Sequence, residues 1–105
     1  MLEIHTMTKH MKEDRINRAV FIATTVGFGE VIAEKYVAKK QSISCLTDTG
    51  VIIVKNEENV IVTMYIATYQ QAQAIAGKNF PLAVAKKVRS NEKRGLIKQQ
   101  NEYKC

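Results

Sequence analysis

Apolar and polar positions mark out a sheet most sharply over residues 47–68, TDTGVIIVKNEENVIVTMYIAT. Two β-branched apolar runs, 51–54 and 60–66, flank a polar segment at 55–59, which predicts a hairpin with a loop of about five residues. The run 51–54 is apolar at every position, as in a central strand covered on both faces. The run 60–67 alternates. Val60, Val62, Met64 and Ile66 point one way, and Ile61, Thr63, Tyr65 and Ala67 the other. Upstream, Ser42, Ser44 and Leu46 alternate with Ile43 and Cys45, the period of a half-exposed strand. Asp48 and Gly50 supply turn chemistry between them and the next run. Together these segments predict a three-stranded antiparallel meander.

Helical periods surround the meander. Ile4, Met7 and Met11 share one face of an N-terminal helix running to about Ala23, and Ile16, Ala19, Val20 and Ala23 form a second stripe rotated from the first. Either the helix breaks near residues 13–15 or it is wrapped on both sides; one helix with a bend is the favoured reading. The glycines of 24–29, TTVGFG, mark a turn. Phe28, Val31, Ile32 and Tyr36 then line one side of a predicted second helix ending near Lys40. After the last strand, Thr68 with Gln71 matches a capping box and Gly77 is placed to close that helix. Tyr69, Ala72, Ile75 and Ala76 form its apolar stripe. Pro81 near a first turn predicts another helix, with Leu82, Ala85 and Val88 inward. The fold class is therefore α+β: N-terminal helices, the three-stranded meander, then C-terminal helices, in a single domain of 105 residues. Beyond Arg89 the apolar signal thins, so a partly frayed end is expected.

Charge changes the picture more than composition does. Residues 1–85 carry nine Lys and Arg against eight Asp and Glu, whereas 86–105 carry seven against two. Nearly all of the formal +6 lies in the last segment. Such a segment attracts phosphate backbones through counterion release. Lys86, Lys87, Arg89, Lys93, Arg94 and Lys98, with Arg18, are the candidate nucleic-acid contacts. No run reaches the roughly 18–20 apolar residues of a membrane span, and no secretory-signal layout opens the chain, so the cytoplasm is the expected compartment. Cys45 and Cys105 are expected as reduced thiols. His5 and His10 lack the spacing of a metal pair, and neither a metal site nor a cofactor is expected.

One chemistry fits the residue types present. Metal-free RNA cleavage needs a base near neutral pKa, cations for the phosphate and a donor that fixes the scissile group. His10 suits the first task, Arg15 and Arg18 the second, Thr63 and Tyr65 the third. Each has a structural reading too. Histidines on a helix are commonly surface residues, arginines beside Glu13 and Asp14 commonly form solvated ion pairs, and Thr and Tyr favour strands.

The helical histidine and Glu-x-Arg segment, followed by helices and strands reading TDTGVIIV and VIVTMY, resembles the superfamily of small RNase-toxin folds that includes barnase, the ribonuclease colicins, EndoU and RelE. The likeness covers roughly residues 5–66. It implies helices before a small antiparallel sheet and a metal-free ribonuclease site on the sheet face. By position it implies His10 or His5 as the acid/base, Arg15 as a phosphate contact, and Thr63 with Tyr65 as site residues of the last strand. Two other readings stand beside it. One is a non-enzymatic phage or mobile-element protein that binds nucleic acid, RNA ahead of DNA, or blocks a host nucleoprotein defence machine as anti-CRISPR proteins do. The other is a structural adaptor, as a monomer or a homodimer.

Overall fold

A computed structural model describes residues 13–103 of the protein, with the side chains of Glu13 and Asp14 excepted. The order of elements is α1 (Glu13–Thr25), β1 (Val31–Val37), β2 (Ser42–Thr47), β3 (Val51–Asn56), β4 (Ile61–Ile66), α2 (Tyr69–Ala76), α3 (Leu82–Lys93) and α4 (Leu96–Gln100). Short 3-10 turns follow β1, α2 and α4. The chain is α+β as expected, but the antiparallel meander has four strands in the order β1-β2-β3-β4.

The extra strand corrects the sequence reading. Residues 31–37, expected in a second helix, form β1, which pairs with β2 from Val31↔Thr47 to Val37↔Ser42. Among the described residues, one helix precedes the sheet rather than two. The physical reason is local. The segment VIAEKYV is rich in β-branched and aromatic residues, and pairing with β2 satisfies its backbone along one whole side. The turn before it is clamped to the β2–β3 turn. Asp48 donates its N–H to Glu30 O at 2.9 Å, and Asp48 Oδ1 accepts the Glu30 N–H at 3.0 Å. Gly29 sits between them at φ 73°, where a β-carbon would collide with Asp48 Oδ1, so the close approach requires glycine.

The sheet is covered on both faces. Cross-strand neighbours Cys45, Ile53 and Met64 lie on one face and pack with Ala19 and Ile22 of α1 and Leu96 of α4. Leu46 and Ile52 lie on the other, with Ala72 of α2 and Val84 and Val88 of α3. β3 thus buries Val51 and Ile53 one way and Ile52 the other, as its unbroken apolar pattern requires. Leu82 departs from expectation. It lies about 200° around α3 from the buried Val84 at 100° per residue, and it is 71% exposed while Val84, Ala85 and Val88 are buried.

A bulge in β4 decides what faces where. Val54 pairs with Thr63, but Lys55 pairs with Ile61, so Val62 is the extra residue. Downstream of it the expected alternation holds, with Met64 and Ile66 toward α1. Upstream it is reversed, and Ile61 joins that same α1-side core instead of the Thr63 and Tyr65 face. The β3–β4 loop is held by Asn56, whose Oδ1 accepts the N–H groups of Glu58 and Val60. The capping box at α2 is present in full. Thr68 N–H donates to Gln71 Oε1 at 2.9 Å, Gln71 N–H donates to Thr68 Oγ1 at 3.2 Å, and Gly77 closes the helix at φ 61°.

Candidate anion-binding cleft at the β4 edge

β4 is an edge strand, so one side of its backbone has no strand partner. Two side chains from distant parts of the chain cover it. Gln100 of α4 is 4% exposed; its Nε2 donates to Ile66 O at 2.9 Å and its Oε1 accepts the Ile66 N–H at 2.6 Å. The carboxamide thereby mimics a neighbouring strand's peptide for one residue. At the other end, Arg15 Nη1 donates to Val62 O at 3.0 Å. Because backbone direction alternates along an antiparallel strand, Met64, between these two, turns its N–H and C=O to the same outer edge.

Around this edge lies a cleft of about 520 Å³. Arg15 and Arg18, three apart on α1, form one wall, and Thr63 and Tyr65, two apart on β4, form another. Thr68 and Gln71 of the α2 capping box, Ile97, Gln100, Asn101 and Tyr103 complete the lining. The ring of Tyr103 is held 5.3 Å from that of Phe21, which fixes the last turn of the described chain against α1. Arg18 Nε is buried and has no hydrogen-bond partner among the described residues. Burial pushes the Tyr65 phenol above its ordinary pKa, so at neutral pH it is a hydroxyl donor and not a base.

The chemistry of this lining is one-sided. Two guanidinium groups stand beside hydroxyl and carboxamide groups, and no carboxylate lines the cleft among the described residues. Forked arginine donors suit phosphate or carboxylate oxygens, with Thr and Tyr hydroxyls as further donors. Among the described residues, no group of three His, Cys, Asp or Glu side chains is placed to hold a metal.

The residues singled out from the sequence divide into three sets. Arg15, Arg18, Thr63 and Tyr65 come together in the cleft. His10, with His5, lies outside the described residues. Of the basic segment, Lys86, Arg89, Lys93 and Arg94 share a groove on α3 with Ser90, while Lys87 and Lys98 are exposed and line neither surface. Sequence reasoning missed Gln71, Gln100, Asn101 and Tyr103. The capping-box pattern did single out Gln71, but as a helix start. Gln100 carried no signal, since only the fold shows that a strand edge lies within reach of its amide.

Cys45 is a buried free thiol, and burial, ahead of its contact with Glu34, raises its pKa. No helix among the described residues is long and apolar enough to cross a membrane. Comparison with protein-family models, with characterised proteins and with solved structures finds no match to this chain.

Proposed function

We propose that the protein is an RNA-directed domain that holds a backbone phosphate in the β4-edge cleft. Arg15 and Arg18 grip the phosphate oxygens, and Thr63 and Tyr65 orient the sugar-phosphate through their hydroxyls. One observation carries this reading: two arginines from α1 and two hydroxyl residues from β4, some 45 positions apart in the chain, converge with carboxamides on a cleft that has no carboxylate among its described lining. A lining of that kind favours anions, with the Arg18 guanidinium, whose Nε has no acceptor among the described residues, at its wall.

The reading is of binding first. Cleavage of the held strand needs a proton acceptor, and the lining described offers phenols, hydroxyls, amides and guanidinium groups. The ribonuclease and toxin reading therefore assigns that task to His10. Binding without cleavage is the behaviour of a non-enzymatic partner of a host nucleoprotein.

Retardation and cleavage of labelled single-stranded RNA and DNA separate these readings. The wild-type protein is expected to retard RNA, and Arg18→Ala to weaken retardation while leaving the fold intact. Cleavage that disappears in His10→Ala selects the ribonuclease. Absence of retardation by the wild-type protein at low salt overturns the proposal.

A further inference from the structure

A second cationic surface lies on α3. Lys86, Arg89, Ser90, Lys93 and Arg94 recur at helical spacing and line a groove of about 440 Å³. It lies beside the helix face that buries Val84, Ala85, Val88 and Asn91. The single acid of α3, Glu92, does not line the groove: its Oε1 accepts the Tyr69 N–H at the first turn of α2, where its charge is shared with that helix end. Arg89 is also oriented, its guanidinium carbon 4.5 Å from the centre of the Tyr69 ring.

That first turn of α2 joins the two surfaces. Thr68 and Gln71 line the β4-edge cleft, and Tyr69, between them, carries Arg89 of the α3 groove. We infer that one single-stranded polynucleotide occupies both, with a phosphate in the cleft and the flanking backbone passing the end of α2 into the α3 groove. The inference rests on the proposed phosphate-binding role of the cleft and adds the form of the ligand. Two cationic surfaces that adjoin one helix end suit a chain able to turn between them. A single strand does this, whereas a duplex is stiff over about 150 base pairs. Repeated phosphates also match cations repeated along one helix face better than a compact anion does.

The test is fluorescence anisotropy with a diribonucleotide, a single-stranded RNA of about 12 nucleotides, which lies within the span that small single-strand-binding folds occupy, and a duplex of the same length. Three proteins are compared: wild type, Arg18→Ala in the cleft, and Lys86→Gln with Lys93→Gln in the groove. Both lysines are exposed, and an unchanged thermal midpoint confirms the fold. The groove variant is expected to weaken the longer RNA and to flatten its log-affinity against log-salt slope by about 1.4 for two lost contacts, with the dinucleotide unaffected. Arg18→Ala is expected to weaken both single-stranded ligands. Unchanged affinity and slope in the groove variant overturn the inference while leaving the cleft reading intact. Equal binding of duplex and single strand overturns the single-strand path. An acidic peptide that competes through the same lysines reassigns the groove to a protein partner. Wild-type protein that binds none of the RNAs overturns the cleft reading with it.

Discussion

The two edges of one sheet are treated in opposite ways. β1 has no buried residue; Val31, Ile32 and Tyr36 are exposed, and Glu34 and Lys35 stand in its middle. Charges, together with the register irregularity after Val31, are the devices that keep a bare edge from pairing with another chain. At the far edge, β4 is gripped by Arg15 and Gln100, and helices α1, α2 and α4 wall it into a cleft. The difference shows where this fold holds polar groups in fixed positions. Side chains ordered by backbone hydrogen bonds and the half-buried Tyr65 phenol surround β4, whereas the side chains of β1 are mostly exposed, with Lys35 reaching the backbone carbonyl of Ala74 in α2.

The largest expected effect lies in the Gln100 amide. Gln100→Ala leaves the buried N–H and C=O of Ile66 unpaired, at about 1–3 kcal/mol for each such group. Urea unfolding is expected to show a loss of about 3 kcal/mol, and a loss below about 0.5 kcal/mol would mean that the β4 edge is solvated like β1. Next comes Arg18→Ala, expected to weaken RNA binding by roughly ten- to a hundredfold, the size of a charge-assisted bond to phosphate of about 1.5–3 kcal/mol. Its unfolding midpoint should stay near wild type, because the residue serves the cleft and not the core.

pH offers a smaller and directional effect. The folded-state pKa of Tyr65 is raised by burial, so below the ordinary phenol value of 10.0 the group is protonated folded and unfolded alike. Above it the unfolded chain ionises first, and stability falls as pH rises through the folded value. Cys45, raised from 9.0 by burial, begins the same fall earlier. Tyr65→Phe is expected to flatten the decline above pH 10, leaving the part that begins near pH 9. The smallest effect belongs to β1. Tyr36 Oη donates to Glu57 at 2.6 Å on the exposed edge, and Tyr36→Phe is expected to change stability by less than about 0.5 kcal/mol.

What could be read from the sequence follows the same contrast. The interior strand, the capping box at Thr68 and the placement of Gly77 rest on local chemistry, and they hold. β1 was hidden because Phe28, Val31, Ile32 and Tyr36 recur at a spacing that suits a helix as well as an edge strand with little to bury. The four-strand sheet follows once that segment is paired. The reversed facing of Ile61 could not be read from alternation, since one extra residue at Val62 inverts everything before it. At the cleft, residue type singled out four of the lining residues, Arg15, Arg18, Thr63 and Tyr65, which the fold brings together. It did not find the carboxamides, because Gln100 and Asn101 acquire a role only when α4 docks beside β4.

The most direct measurement compares the two edges in one experiment: backbone amide shifts in a ¹H–¹⁵N NMR titration with single-stranded RNA. The expected result is movement at Thr63, Met64, Tyr65, Gln71 and Asn101, with Val31–Val37 unchanged. Shifts confined to β1, or no shifts around β4 while RNA binds, would contradict the assignment of the cleft as the phosphate site.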